Sequence, residues 1–150
     1  MGYNFGVGRE APTFTLNATD GNEIALAQYR GDWFPVLVFV PARMPGAAAA
    51  LTQLTAAAGE IWGLHGQLVG ICAAEREDVA ALAADVDGLG FPLLPDDGTV
   101  ARKYGALSGD GSPRPAVFIV DRAGKIVWMG EGAAACEPAG LIAALRDVVR

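Results

Sequence analysis

Two cysteines, Cys72 and Cys136, and a single histidine, His65, are the thiol and imidazole side chains of this chain. They are too few for a zinc site of the usual four-ligand kind, which leaves thiol chemistry. A cysteine reacts as the thiolate, and its ordinary pKa of about 8.5 rises in apolar surroundings. Cys72, between Ile71 and Ala73 at the end of an apolar run, could face the functional crevice as a redox thiol from the carboxyl end of a parallel strand, but its apolar neighbours favour a buried, inert core thiol. Cys136 closes the segment Gly130-Glu-Gly-Ala-Ala-Ala-Cys136, which reads as a flexible loop, so it is the better candidate for an exposed, reactive thiol. In a chain without secretory features, two cysteines are more often reduced than bridged. Arg43 stands where it could face an anion, although a solvated loop arginine is the commoner case. His65 reads as helping to end a helix near its negative pole rather than as a base. Asp20, Asp96, Asp97 and Asp121 all sit in turn sequences and receive no catalytic role.

The elements that must position these groups are organised around residues 35–54. Val36 to Val40 is an unbroken, mostly β-branched run, the mark of a strand buried on both faces. Pro41, Pro45 and Gly46 then force a tight loop, because none of them continues a strand ladder easily. A helix follows from Ala47, with Leu51, Leu54, Ala58, Ile61 and Trp62 predicted on its apolar face. A strand that feeds a helix through a short loop leaves the first helical N–H groups at the loop, a seat for an anion or a thiolate.

Upstream, Phe14 and Leu16, the Asp20-Gly21 turn, then Ile24 and Leu26 predict a β-hairpin that adds to the sheet and carries no chemistry. Downstream, 67–72 reads as a second buried strand, parallel to 36–40 through a right-handed helical crossover. Val79, Leu82, Ala83 and Val86 mark a helix closed by Gly88 and Gly90, and 91–98 is a short extended segment with a turn. A short helix over 99–104 takes Thr99 as its N-cap. A strand over 117–120, antiparallel to 36–40, turns at 121–124 into a return strand over 125–128. The last helix covers 137–149, with Pro138 in its first turn.

Composition excludes several function classes. The 150 residues are 52% hydrophobic, mostly through aliphatics and alanine, and fit a single domain over 1–150 with a proper core. A net charge of −6 with eleven scattered Lys and Arg argues against nucleic acid and anionic membrane as partners. No apolar run reaches the length of a membrane span. The start, Met1 to Arg9, lacks the basic-then-apolar order of a signal peptide, so the cytoplasm is the expected location.

The loop itself carries a resemblance. Phe39-Val-Pro41-Ala-Arg-Met44-Pro45-Gly46 is similar to the active-site loop of the peroxiredoxin (AhpC/TSA) family. It is most similar to the bacterioferritin-comigratory branch, where the loop runs roughly Pro-x-x-Met-Thr-Pro-Gly-Cys. Ala11-Pro-x-Phe-x-Leu16, Leu26-x-x-Tyr29-Arg-Gly31, Phe91-Pro-Leu-Leu-x-Asp96, Val100-Ala-x-x-Tyr104-Gly105 and Phe118-Ile-Val-Asp121 resemble other segments of that family. The resemblance implies a three-layer α/β/α thioredoxin fold with an N-terminal β-hairpin extension.

It also implies a cysteine thiolate that attacks the peroxide O–O bond and becomes a sulfenic acid, later reduced by a thiol. Anchored on Pro45-Gly46, that cysteine falls on Ala47; counted from Pro41, it falls on Ala48. The loop is one residue short and lacks the threonine of the family. Standard cysteine-based peroxide reduction is therefore expected to be absent, and the other reading is a non-catalytic interaction or small-ligand-binding module. In the family, an arginine just before the 117–120 strand stabilises the thiolate and polarises the peroxide. Arg114 stands one residue away from that spacing, with Pro115 at the counted position, and a surface arginine before a strand accounts for it equally. Pro115-Ala-Val-Phe118 also resembles the segment after the cis-proline of thioredoxin-like reductases, which leaves a cis bond before Pro115 open. No cofactor is implied. The partners the family implies are a thioredoxin-like reductant, a small thiol or peroxide, and a second copy in a homodimer.

Overall fold

Alternation along three β-branched strands builds the fold. In the computed structural model, which describes residues 7–149, β3 (Phe34–Phe39), β4 (Gly66–Cys72) and β6 (Ala116–Val120) form the middle of a five-stranded sheet. The edges are β5 (Leu93–Pro95) and β7 (Ile126–Glu131), in the order β5-β4-β3-β6-β7. β3 pairs in parallel with β4, Val38 opposite Gly70, and antiparallel with β6, Val38 opposite Val117. The expected central strand and its two pairings are observed.

Successive side chains leave opposite faces of a strand, so each central strand serves two cores. Val36, Val38, Val40, Leu68, Val117 and Ile119 share one apolar cluster with α1 (Ala47–Gly63), α2 (Arg76–Ala84) and α4 (Pro138–Val149). Leu37, Phe39, Val69, Ile71, Phe118 and Val120 share the other, with the N-terminal hairpin, the 3-10 turn at Leu26–Tyr29 and α3 (Thr99–Lys103). Three layers result. On the second side Phe39, Tyr104 and Phe118 form an aromatic cluster with ring centroids 5.2–5.6 Å apart, and Tyr104 Oη donates to the Pro12 carbonyl at 2.6 Å.

Three expectations need correction. The hairpin, β1 (Thr15–Asn17) and β2 (Glu23–Ala25), does not extend the main sheet but forms its own two-stranded one. Its short strands pair with one another, while Phe14, Ile24 and Leu26 are buried against the face of the large sheet. Thr19 N–H donates to Leu93 O at 3.1 Å and ties it to that sheet's edge. Trp62 lies 59% exposed rather than in the core. Ile61 takes the inward position, and the Trp62 indole rests 5.3 Å from that of Trp33. At α3 the N-cap is Gly98, at φ +102°, and Thr99 is the first helical residue. The capping acceptors are carboxylates: Asp97 Oδ1 takes the Thr99 N–H, and buried Asp96 takes those of Val100 and Ala101. The Thr99 bonds hold the Asp97 carboxyl below its usual range. The residues on which the leader-peptide reading rests lie largely outside those described.

Candidate functional site

Beyond Phe39 the chain turns twice before α1. Met44 N–H donates to Pro41 O at 3.1 Å and Ala47 N–H to Met44 O at 3.0 Å. Gly46, the N-cap, sits at φ +82°, a conformation that costs glycine nothing and a β-carbon residue a good deal. Having no side chain, it caps nothing. Ala50 N–H donates to Gly46 O, and among the described residues the N–H groups of Ala48 and Ala49 have no backbone partner. The positive end of a 17-residue helix is thus left open at the loop. Ala47 is buried, 4% exposed, whereas Ala48 is only half-buried.

Beside the loop lies a cavity of about 810 Å³, within the range usual for small-molecule sites. It is walled by 41–44, by 73–75 with Asp78, and by 112–115. Because β6 runs antiparallel to β3, its start lies at the same end of the sheet as the ends of β3 and β4. That end is where open α/β sheets place their crevices. Pro41, Arg43, Arg114 and Pro115 are therefore brought together as cavity wall, while Pro45, Gly46, Ala47 and Ala48 are not among the residues lining it. His65 is at the far end of α1, roughly 25 Å away at 1.5 Å per residue. Its role is in the backbone: at φ +66° its N–H caps Trp62 O and its carbonyl accepts from Phe34 N–H.

Each arginine has an acidic neighbour, Arg114 closely and Arg43 loosely. Arg114 Nε and Nη2 donate to Gly105 O at 3.2 and 2.7 Å, and Nη1 forms an ion pair with Glu131. Arg43 has a 90% exposed side chain, 3.9 Å from Asp78, an exposed pair of the kind that contributes little. The bond before Pro115 is trans, since no peptide among the described residues is cis. Arg114 N–H donates to Ala106 O and Pro115 O accepts from Gly132 N–H, which hold the segment at both ends. Sequence reading missed Glu75, Asp78 and Glu131. Glu75 was findable, three residues beyond a parallel strand that ends at this edge. Glu131 reaches Arg114 only through the β6–β7 pairing, which sets Ala116 opposite Glu131.

The thiols lie elsewhere. Cys72 is buried as expected, and burial pushes its thiol up to about 12. Cys136 is the correction: it is 2% exposed, in the 3-10 helix Ala133–Cys136 that packs on β6 and α4, and burial pushes it up to about 11. Gly132, at φ +87°, turns the chain so that this small-residue segment folds inward instead of looping out. Because both folded-state values exceed the ordinary thiol value of about 8.5, the stability held by the neutral thiols is complete below about that pH. It is lost as pH rises towards 11 and 12. The melting temperature is expected to fall above pH 9, and the double substitution Cys72→Ala, Cys136→Ala to flatten that fall. An unchanged alkaline slope in the double variant would contradict the assignment.

A sheet of this order, covered on both faces, with a turn-to-helix loop and crevice at the ends of its parallel strands, defines a thioredoxin-like α/β protein. The AhpC/TSA family model matches residues 7–129, and the chain belongs to that family, the peroxiredoxin-type redox proteins. A Mycobacterium tuberculosis protein that carries a peroxiredoxin name is 34% identical over 128 residues, which cover 80% of this chain and 81% of the relative. Alkyl hydroperoxide reductase E of the same organism is 32% identical over 136 residues, with the same coverage. The crystal structure of peroxidoxin BcpB from M. tuberculosis superposes with a TM-score of 0.82 at 25% identity, over 95% of this chain and 97% of the other. Among the described residues no helix is long and apolar enough to cross a membrane, and no His/Cys/Asp/Glu group of three or more is placed to hold a metal.

Proposed function

We propose that this chain is a peroxiredoxin-type protein without thiol-based peroxide reduction, whose crevice serves to bind a small ligand. The nucleophile position is occupied by Ala48, counted from Pro41, or by Ala47, counted from Pro45-Gly46. The half-burial of Ala48 beside unpartnered N–H groups supports the first count. The observation that carries the proposal is the state of the two cysteines: both are buried, both are held protonated at neutral pH, and neither lines the crevice. A thiol at about 12 is thiolate in roughly one molecule in 10⁵ at pH 7, and the thiolate is the species that attacks peroxide. The reading keeps the expected cytoplasmic homodimer. It removes the need for a thioredoxin-like reductant, because no sulfenic acid forms that would require one.

Hydrogen peroxide consumption in the presence of a dithiol reductant tests it. The protein is expected to consume peroxide no faster than an equal concentration of a simple free thiol. Faster consumption that disappears in Cys72→Ala or Cys136→Ala overturns the proposal.

A further inference from the structure

The charges on the crevice wall are unevenly spent. Arg114 is engaged by Gly105 O and Glu131, and Arg43 faces Asp78. Glu75, at the N-cap of α2, has no cation paired with it among the described residues. Its neighbour Arg76 points away, donating Nη1 to Ala18 O at 3.2 Å. With Arg114 held by Glu131, which lies outside the lining, and Arg43 set against Asp78, Glu75 is the wall carboxylate left without a cation partner among the described residues. The rest of the lining is largely apolar: Pro41, Ala42, Met44, Ala73, Pro113 and Pro115.

Resting on the reading of this crevice as a ligand site, we propose that it takes a small organic cation. Its apolar body lies against Met44 and the three prolines, and its ammonium group pairs with Glu75. An anion is disfavoured twice over. It would have to displace Glu131 from Arg114, and it would meet Glu75 and Asp78 at close range. Apolar contact with the prolines and Met44 supplies most of the affinity, since burial of apolar area is the larger contribution. The charge supplies selectivity, as complementary charges at a partly solvated site do.

Hexylamine, hexanol and hexanoate share one tail and differ in head group, which makes them suitable probes. Each is titrated into the full chain at neutral pH and low salt, with binding read from the Met44 methyl resonance. Hexylamine is expected to bind about two- to fivefold more tightly than hexanol, the range of a solvent-exposed ion pair, and hexanoate more weakly than either. Glu75→Gln is expected to bring hexylamine down to the affinity of hexanol and to leave hexanol unchanged. Tightest binding by hexanoate, abolished in Arg114→Gln, overturns the inference in favour of an anion site. Equal binding of all three probes overturns the charge argument but leaves a ligand crevice. No response at Met44 to any probe overturns both the inference and the crevice as a small-molecule site. Peroxide consumption is independent of all these outcomes.

Discussion

Ala48→Cys, made in a Cys72→Ala, Cys136→Ala background, is expected to carry a thiol that titrates below the ordinary 8.5 and to react with hydrogen peroxide. The cause is local. Ala48 is half-buried in the first turn of α1, next to N–H groups that lack backbone partners. The helix terminus favours an anion there by about 0.3–1 kcal/mol. At 1.36 kcal/mol per unit this lowers the pKa by roughly 0.2–0.7 and raises the thiolate population at pH 7 about two- to fivefold. Arg114 adds little, because Glu131 and Gly105 O hold it and Ala48 lies outside the crevice wall that Arg114 lines. Ala47→Cys is expected to behave differently, because its side chain enters the core and burial opposes the thiolate. Even the better variant stays well short of an efficient peroxidase, since positioning of the peroxide is a large part of such rate enhancement. Thiol titration and second-order rates for both variants provide the check. A Cys at 48 that titrates at or above 8.5 would show that the loop forms no anion seat.

Gly66→Ala is expected to destabilise the protein by about 2–3 kcal/mol, towards the upper end of overpacking costs. Gly66 begins β4 under the crossing of α1 and α4. A β-carbon there meets Leu145 Cδ2 at 2.5 Å, Ile61 Cγ2 at 2.8 Å and Ile61 O at 3.2 Å. The Leu145 methyl can swing aside, but Ile61 is β-branched and its carbonyl belongs to the helix backbone, so relief requires moving α1. At this chain length each kcal/mol lowers Tm by roughly 2–4 °C. Gly59→Ala is the matched control. Gly59 lies exposed in the same helix with nothing within 4 Å of the added carbon, and the substitution is expected to stabilise by up to about 1 kcal/mol. Equal melting temperatures for the two variants would contradict the packing described at Gly66.

Local patterns made the sheet readable before the structure. The runs at Val36–Val40, Leu68–Cys72 and Val117–Val120 are short, apolar and β-branched. The helix between the first two requires a parallel pair, and the short turn after the third requires an antiparallel one. Pro41, Pro45 and Gly46 located the loop, and Pro138 indeed begins the last helix. What was not readable depends on contacts distant in sequence. Cys136 sits in a glycine- and alanine-rich segment that gives no local sign of packing beneath β6 and α4. Trp62 satisfies the helical spacing as well as Ile61 does, but Ile61 takes the inward position and Trp62 rests against Trp33 at the surface. For Arg114 a functional positive charge and a plain surface arginine fit the sequence equally, and Glu131, at the end of the neighbouring strand, pairs with it. The crevice was half readable: the strand ends placed it, but the balance of charge along its wall required the third dimension.

The most direct test of the central claim is dimedone trapping during a hydrogen peroxide pulse at pH 7, read by mass spectrometry of the intact protein and its peptides. Dimedone marks a cysteine that has reached the sulfenic acid, the species every thiol peroxidase must pass through. The protein as it stands is expected to take up no dimedone at Cys72 or Cys136, while Ala48→Cys takes up one equivalent at the new thiol. A peroxide-dependent dimedone adduct on either native cysteine, formed while the chain remains folded, would contradict the account.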